Sequence, residues 1–202
     1  NMGRSITRTS LVLSLLLLTA LLQSCSVVRS NLQTVEPGQF YRSGQMAGFK
    51  IDAVANRYDI KTMINLRGEQ PDESWYRSEI AACERNNVQH YDLQWSMRKI
   101  PPPDSLAQLI AWIETGPKPI LVHCQGGVHR AAIASVVYRL LRGDSVEEAR
   151  EELGLFFMDA PIGELLDLYD ESKPFKQWIN EDYPAIYAAR ADAASASIPS
   201  TE

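Results

Sequence analysis

"PILVHCQGGVHRAAIASVVYRLL", residues 119–141, passes from an apolar run through a short polar loop into a second apolar stretch. Ile120, Leu121 and Val122 are apolar at consecutive positions, the pattern of a strand buried on both faces. From Arg130 to Arg142 the small and apolar residues continue long enough to predict a buried helix. Between the two stands Cys124-Gln125-Gly126-Gly127-Val128-His129-Arg130.

A strand that runs through glycines into a helix suits an anion. Gly126 and Gly127 let the backbone turn successive N–H groups inward, and the helix start adds its free N–H groups and the positive end of its dipole. The guanidinium of Arg130 can grip two oxygens of a tetrahedral dianion in one plane, which lysine cannot. A cysteine beside a helix N-terminus and a guanidinium is favoured as thiolate, so Cys124 is the expected nucleophile. A core cysteine followed by an ordinary turn would explain neither the glycines nor the arginine.

Working outward, "TMINL" (62–66) and "VQHYDLQW" (88–95) read as further strands. Between the strands, 46–58, 72–87 and 104–115 carry apolar residues at helical spacing. Leu106, Leu109, Ile110 and Ile113 make one stripe of the third, and Asp104 is its expected cap after three prolines. Beyond residue 142, Ser145-x-x-Glu148 predicts a capping box opening a helix to Leu153, followed by helical segments near 163–170 and 174–180. Alternating strands and helices predict an α/β fold with a mostly parallel sheet of four to five strands covered on both faces. Ligands of such sheets bind beyond the carboxyl ends of the strands, after Leu66, Trp95 and His123. Arg67, Arg98 and Lys99 fall there, and Arg42 in "YRSG" is placed to join them, so a second anionic group on the substrate is expected, although each is equally readable as a solvated loop charge. Trp75, Tyr76, Trp112 and Trp178 are expected to pack helices.

The 202 residues suffice for one ordinary core, and a formal charge of −5 argues against nucleic acid as a partner. At the N-terminus, Arg4 and Arg8 precede an apolar run from Leu11 to Leu22, and "LQSC" ends at Cys25. That ending resembles a bacterial lipobox, although Gln23 is not the usual small residue. The resemblance implies a signal peptide over 1–24, lipidation of Cys25, and a protein held on the periplasmic face of the inner or outer membrane. A plain secretory signal or a membrane anchor is the alternative, for a run short of a full span. Residues 25–34 would be a linker, 35–187 the folded domain and 188–202 a frayed tail. Loss of 1–24 removes two arginines and no acids, leaving 18 basic and 25 acidic residues and a charge of −7. Such a body gains nothing from anionic headgroups, so the membrane is expected as a partner through the anchor. Cys83 reads as a small core residue, and a Cys83–Cys124 disulfide is the minor alternative.

"VHCQGGVHRA" resembles the His-Cys-x5-Arg signature of the cysteine-dependent protein tyrosine and dual-specificity phosphatases. "FYRSGQM" and "INLRGEQ" are similar to segments of small atypical members, so the likeness covers about residues 35–155. It implies attack of Cys124 on phosphorus, phosphate bound by residues 125–130 (Gln125, Gly126, Gly127, Val128, His129 and Arg130), and hydrolysis of a cysteinyl-phosphate. No metal or cofactor is implied, and His90, His123 and His129 lack metal-ligand spacing with a cysteine pair. Two departures stand out. Ala131 occupies the position where the family has a hydroxyl. The general acid is Asp104, 20 residues before Cys124, or Asp92, which falls inside a strand. A rhodanese-like or arsenate-reductase-like cysteine enzyme, and a non-catalytic binder of phosphorylated ligands, are the other readings of the same loop.

Overall fold

A computed structural model describes residues 30–196. The signal-peptide and lipidation readings, Cys25 included, lie outside the described residues. Five strands, β1 (Gln33–Glu36), β2 (Phe40–Ser43), β3 (Thr62–Asn65), β4 (Gln89–Asp92) and β5 (Ile120–His123), form one sheet in the order β1-β2-β5-β3-β4. β1 and β2 are an antiparallel hairpin, and every other pairing is parallel. The last strand in sequence thus lies at the centre, where its carboxyl end is flanked by those of β2 and β3.

Burial on both faces of β5 explains its unbroken apolar run. Ile120, Val122 and Cys124 join one core cluster, while Leu121 joins the other with Tyr41 and Met63. The second cluster lies under α1 (Gly48–Tyr58) and α2 (Ser74–Arg85), which contribute Ile51, Ala55, Ala82 and Cys83. The larger one is covered by α3 (Pro103–Thr115) and α4 (Arg130–Leu141), then by α5 (Val146–Arg150), α6 (Glu164–Leu168), α7 (Phe175–Glu181) and α8 (Tyr183–Ala196). Tyr183 closes it, its hydroxyl donating to the carbonyl of Pro101 at 2.6 Å.

The expected capping box at Ser145 and Glu148 forms. Asp104 does not cap α3. Pro102 stands at the cap position and Pro103 begins the helix, where a missing N–H costs nothing, so Asp104 falls in the first turn. β1 begins at Gln33, inside the stretch read as linker, and α8 runs on past Tyr187. Cys83 is a core thiol against the Met63 sulfur at 3.7 Å, and burial pushes its pKa up to about 12. Cys83 and Cys124 are free and belong to opposite layers, so the disulfide alternative is not realised. Among the described residues no helix is long and apolar enough to cross a membrane.

Candidate active site

Residues 124–130 leave the carboxyl end of β5 and lead into α4. Gly127 has φ +70°, and a Cβ there would meet the Gly44 nitrogen at 2.5 Å and the Ser43 carbonyl carbon at 2.7 Å. Only glycine fits this position. The backbone N–H that it turns inward donates to Cys124 Sγ at 3.2 Å, so a fixed donor faces charge on the sulfur. Cys124 is buried, and the exposed Gln125 and Gly126 form the loop's outer edge. Neighbouring segments clamp the loop. Gln45 N–H donates to the Gln125 carbonyl at 3.0 Å, Cys124 N–H to the Ser43 carbonyl at 3.3 Å, and Asn31 Nδ2 to the Gly126 carbonyl at 3.1 Å.

Arg130, at the start of α4, is aimed by two carbonyls at the ends of the flanking segments. Its Nη1 donates to Leu66 O at 3.1 Å and Trp95 O at 3.3 Å. A guanidinium held by one edge leaves its other N–H groups for a ligand. Arg67 is next in line. Its guanidinium lies 3.7 Å from the ring centroid of Trp75 and donates to Gln45 Oε1 at 2.9 Å. Burial, then the charge of Arg130, lower its pKa, and Arg130 itself reaches the carbonyl of Leu66, the residue before Arg67. Trp75, expected to pack between helices, instead carries this cation. Arg42 is buried on Gln33 and 3.7 Å from Glu152. Arg98 and Lys99 are exposed and line a cavity of about 370 Å³ with Tyr187 and Arg190, in whose walls no residue of 124–130 takes part.

Behind the loop lies a buried charge cluster that sequence reasoning missed. Glu79 on α2 is 1% exposed. Its Oε1 accepts from His123 Nε2 at 3.0 Å and His90 Nε2 at 2.8 Å, and its Oε2 from Gln45 Nε2 at 2.6 Å. Burial opposes the charge of Glu79, but His123, His90 and Gln45 outweigh it and hold the carboxyl well below the usual carboxylate range. Burial would likewise lower His90; hydrogen bonds with Asp92 and Glu79 win and raise it to about 9. The other ring nitrogen of His123, Nδ1, lies 3.4 Å from the carbonyl of Cys124. Gln45 thus joins three parts of the site: its backbone holds the loop, and its amide spans Arg67 and Glu79.

The two acidic candidates differ in setting. Asp92 accepts from Asn65 Nδ2 at 2.7 Å and Tyr76 OH at 2.7 Å, with His90 Nδ1 at 3.5 Å. Burial works against its charge, yet these partners hold its pKa below the ordinary value. Asp104 is exposed in the first turn of α3. The adjacent Ser105 accepts from the indole N–H of Trp95 at 2.7 Å, and the Trp95 carbonyl is one of the two that hold Arg130. Among the described residues no group of three or more His, Cys, Asp or Glu could hold a metal.

A family model described as "DSP-PTPase phosphatase fused to NAD+ Kinase" matches residues 23–162. A search of curated proteins finds no match. Similar solved structures include the core catalytic domain of the PP-IP phosphatase SIW14 from S. cerevisiae, at 20% identity and a TM-score of 0.58, covering 80% of this chain and 93% of that one. TpbA from P. aeruginosa is similar at 22% identity and TM-score 0.53, over 70% of this chain and 86% of that one. Tk-PTP in its active form is similar at 19% identity and TM-score 0.52, over 77% and 97% respectively. At these identities the likeness is one of fold.

Proposed function

The chain belongs to the family of DSP-PTPase phosphatases described as fused to NAD+ kinase, and from that membership we propose that it hydrolyses phosphate monoesters through a cysteinyl-phosphate, in the manner of protein tyrosine and dual-specificity phosphatases. The observation that carries this reading is the Cys124 sulfur set on the Gly127 N–H at the mouth of α4, whose first residue, Arg130, is held by the carbonyls of Leu66 and Trp95.

In the first step the Cys124 sulfur attacks phosphorus while the bond to the leaving oxygen breaks and Asp104 protonates that oxygen. Backbone N–H groups of 125–130 and the guanidinium of Arg130 bear the charge on the phosphoryl oxygens. Asp92 is the alternative acid. Its three donors favour the carboxylate form, which has no proton to give, and the reading therefore gives it the task of holding His90 and Asn65. In the second step the Asp104 carboxylate takes a proton from water as that water attacks phosphorus, the sulfur–phosphorus bond breaks with its electron pair returning to Cys124, and phosphate leaves. Ala131, buried in the first turn of α4, offers the departing sulfur no hydroxyl, so the Gly127 N–H is the donor that receives its charge.

Arg67 stands beside Arg130 and would take a second anionic group of the substrate. Arg98 and Lys99 are proposed for the same task from their cavity only for a substrate long enough to span both places. Anchorage through a lipidated Cys25 places the enzyme in the cell envelope. Release of phosphate from p-nitrophenyl phosphate, abolished by Cys124→Ser, tests the activity. Vanadate binding without turnover of any phosphate monoester would favour a non-catalytic binder, and turnover of thiosulfate or arsenate the other cysteine chemistries.

A further inference from the structure

Among the described residues five large apolar side chains stand exposed, and three of them, Phe49, Leu155 and Phe156, line clefts beside one segment, with Met158 following on the same loop as the last two. Leu155, Phe156 and Met158, at 96%, 77% and 82% exposure, project from the loop after the turn Glu151–Leu153. That loop is held against residues 124–130, because the buried Phe157 within it lies 5.6 Å, ring to ring, from His129. Leu155 and Phe156 line a cleft with Asn31 and Gln33, along with Gly127 and Val128 of the catalytic loop. Phe49, 72% exposed at the start of α1, lines a second cleft with Ser30 and Leu32. The segment 30–33 therefore runs between the two clefts, with Phe49 on one side and Leu155 and Phe156 on the other.

A cluster of large exposed apolar side chains marks a contact surface. The chain itself indicates what covers it. Cys25 precedes Ser30 by five residues, a span of at most about 18 Å however the backbone runs. A lipid on Cys25 therefore brings the 30–33 segment to the membrane, and with it the catalytic loop that Asn31 touches. The tether alone limits distance and leaves orientation free. We infer that Phe49, Leu155, Phe156 and Met158 form a rim that inserts into the bilayer surface and turns the catalytic loop toward phosphate monoesters borne on lipid. This rests on the phosphatase and lipoprotein reading above. Apolar insertion also suits a body charged at −7, for which anionic headgroups offer no attraction.

The chain reconstituted into phosphatidylethanolamine–phosphatidylglycerol vesicles containing phosphatidic acid provides the test. Phe156→Trp reads insertion directly: its added fluorescence is expected to be quenched by brominated lipids, whether or not the protein is catalytically active. Leu155→Ser/Phe156→Ser/Met158→Ser is expected to hydrolyse soluble p-nitrophenyl phosphate at the wild-type rate and phosphatidic acid at least about tenfold more slowly. Quenching in a protein inactive on every phosphate ester would keep the rim and sink the phosphatase reading. Unquenched Phe156→Trp in an active protein would overturn the rim. So would equal phosphatidic acid turnover by the triple variant, or a self-associated species that the triple variant abolishes, which would assign the surface to a second copy.

Discussion

His123 Nε2 lies 3.0 Å from Oε1 of Glu79, which places a buried carboxylate against the residue just before Cys124, the proposed nucleophile. The same carboxylate reaches Arg67 through Gln45, so the proposed anion-binding edge of the sheet and its support share one charge.

Glu79→Gln keeps the shape but removes the charge that two histidines face. Removing one partner from a buried charged cluster typically costs about 3–5 kcal/mol. Urea unfolding should show a loss of that order, with the slope against denaturant unchanged. A loss within experimental error would mean that the cluster is not charged in the folded protein.

His90 gives the cluster a pH dependence whose sign follows from its partners. Its pKa is raised to about 9 in the folded chain, against about 6.5 for a free imidazole. The stabilisation is complete below about 6.5 and is lost as pH rises through about 9, on the order of 3 kcal/mol. Melting temperature followed from pH 6 to pH 10 should fall across that window, and His90→Gln should flatten the fall. Asp92 and Glu79, both shifted down, act at the other end: their contribution is present above the ordinary carboxylate range and lost as pH drops through their folded values.

Gly127→Ala tests the backbone of the loop. The added methyl would sit 2.5 Å from the Gly44 nitrogen at a positive φ, so the loop must shift and its N–H must leave the sulfur. Turnover of p-nitrophenyl phosphate should drop by about a hundredfold or more, as for loss of one donor in an anion hole. The fold should survive, read as an unchanged far-ultraviolet circular dichroism spectrum.

The acid is separated by leaving group. Asp104→Asn should slow hydrolysis of an alkyl phosphate by about 10² or more while sparing p-nitrophenyl phosphate, whose leaving oxygen needs no proton. Asp92→Asn should instead lower stability and slow both esters alike. The reverse pattern would move the acid to Asp92.

Much of this was legible in the sequence because it depends on local pattern. The strand 120–123, the loop and α4 are contiguous, and their burial and glycine content announce them. β1 and β2 were not read as strands, since Gln33, Arg42 and Ser43 carry no apolar alternation; β2 is buried by the sheet around it. The cap at α3 was misassigned because proline competes for helix starts as effectively as aspartate. Glu79, His90 and His123 come from three elements, and only the parallel register of β3 with β4 and β5 brings them to one face. A glutamate at the inner face of a helix, a histidine within one strand and another at the end of a second were the available signal. It becomes specific only once the strand order is known.

Rapid acid quench after mixing the protein with a phosphate monoester labelled at phosphorus tests the central claim most directly. Wild type should retain label on the Cys124 peptide at a level that tracks turnover, and Cys124→Ser should lose both the label and phosphate release. Hydrolysis that persists in folded Cys124→Ser, or label carried on any other residue, would contradict the account.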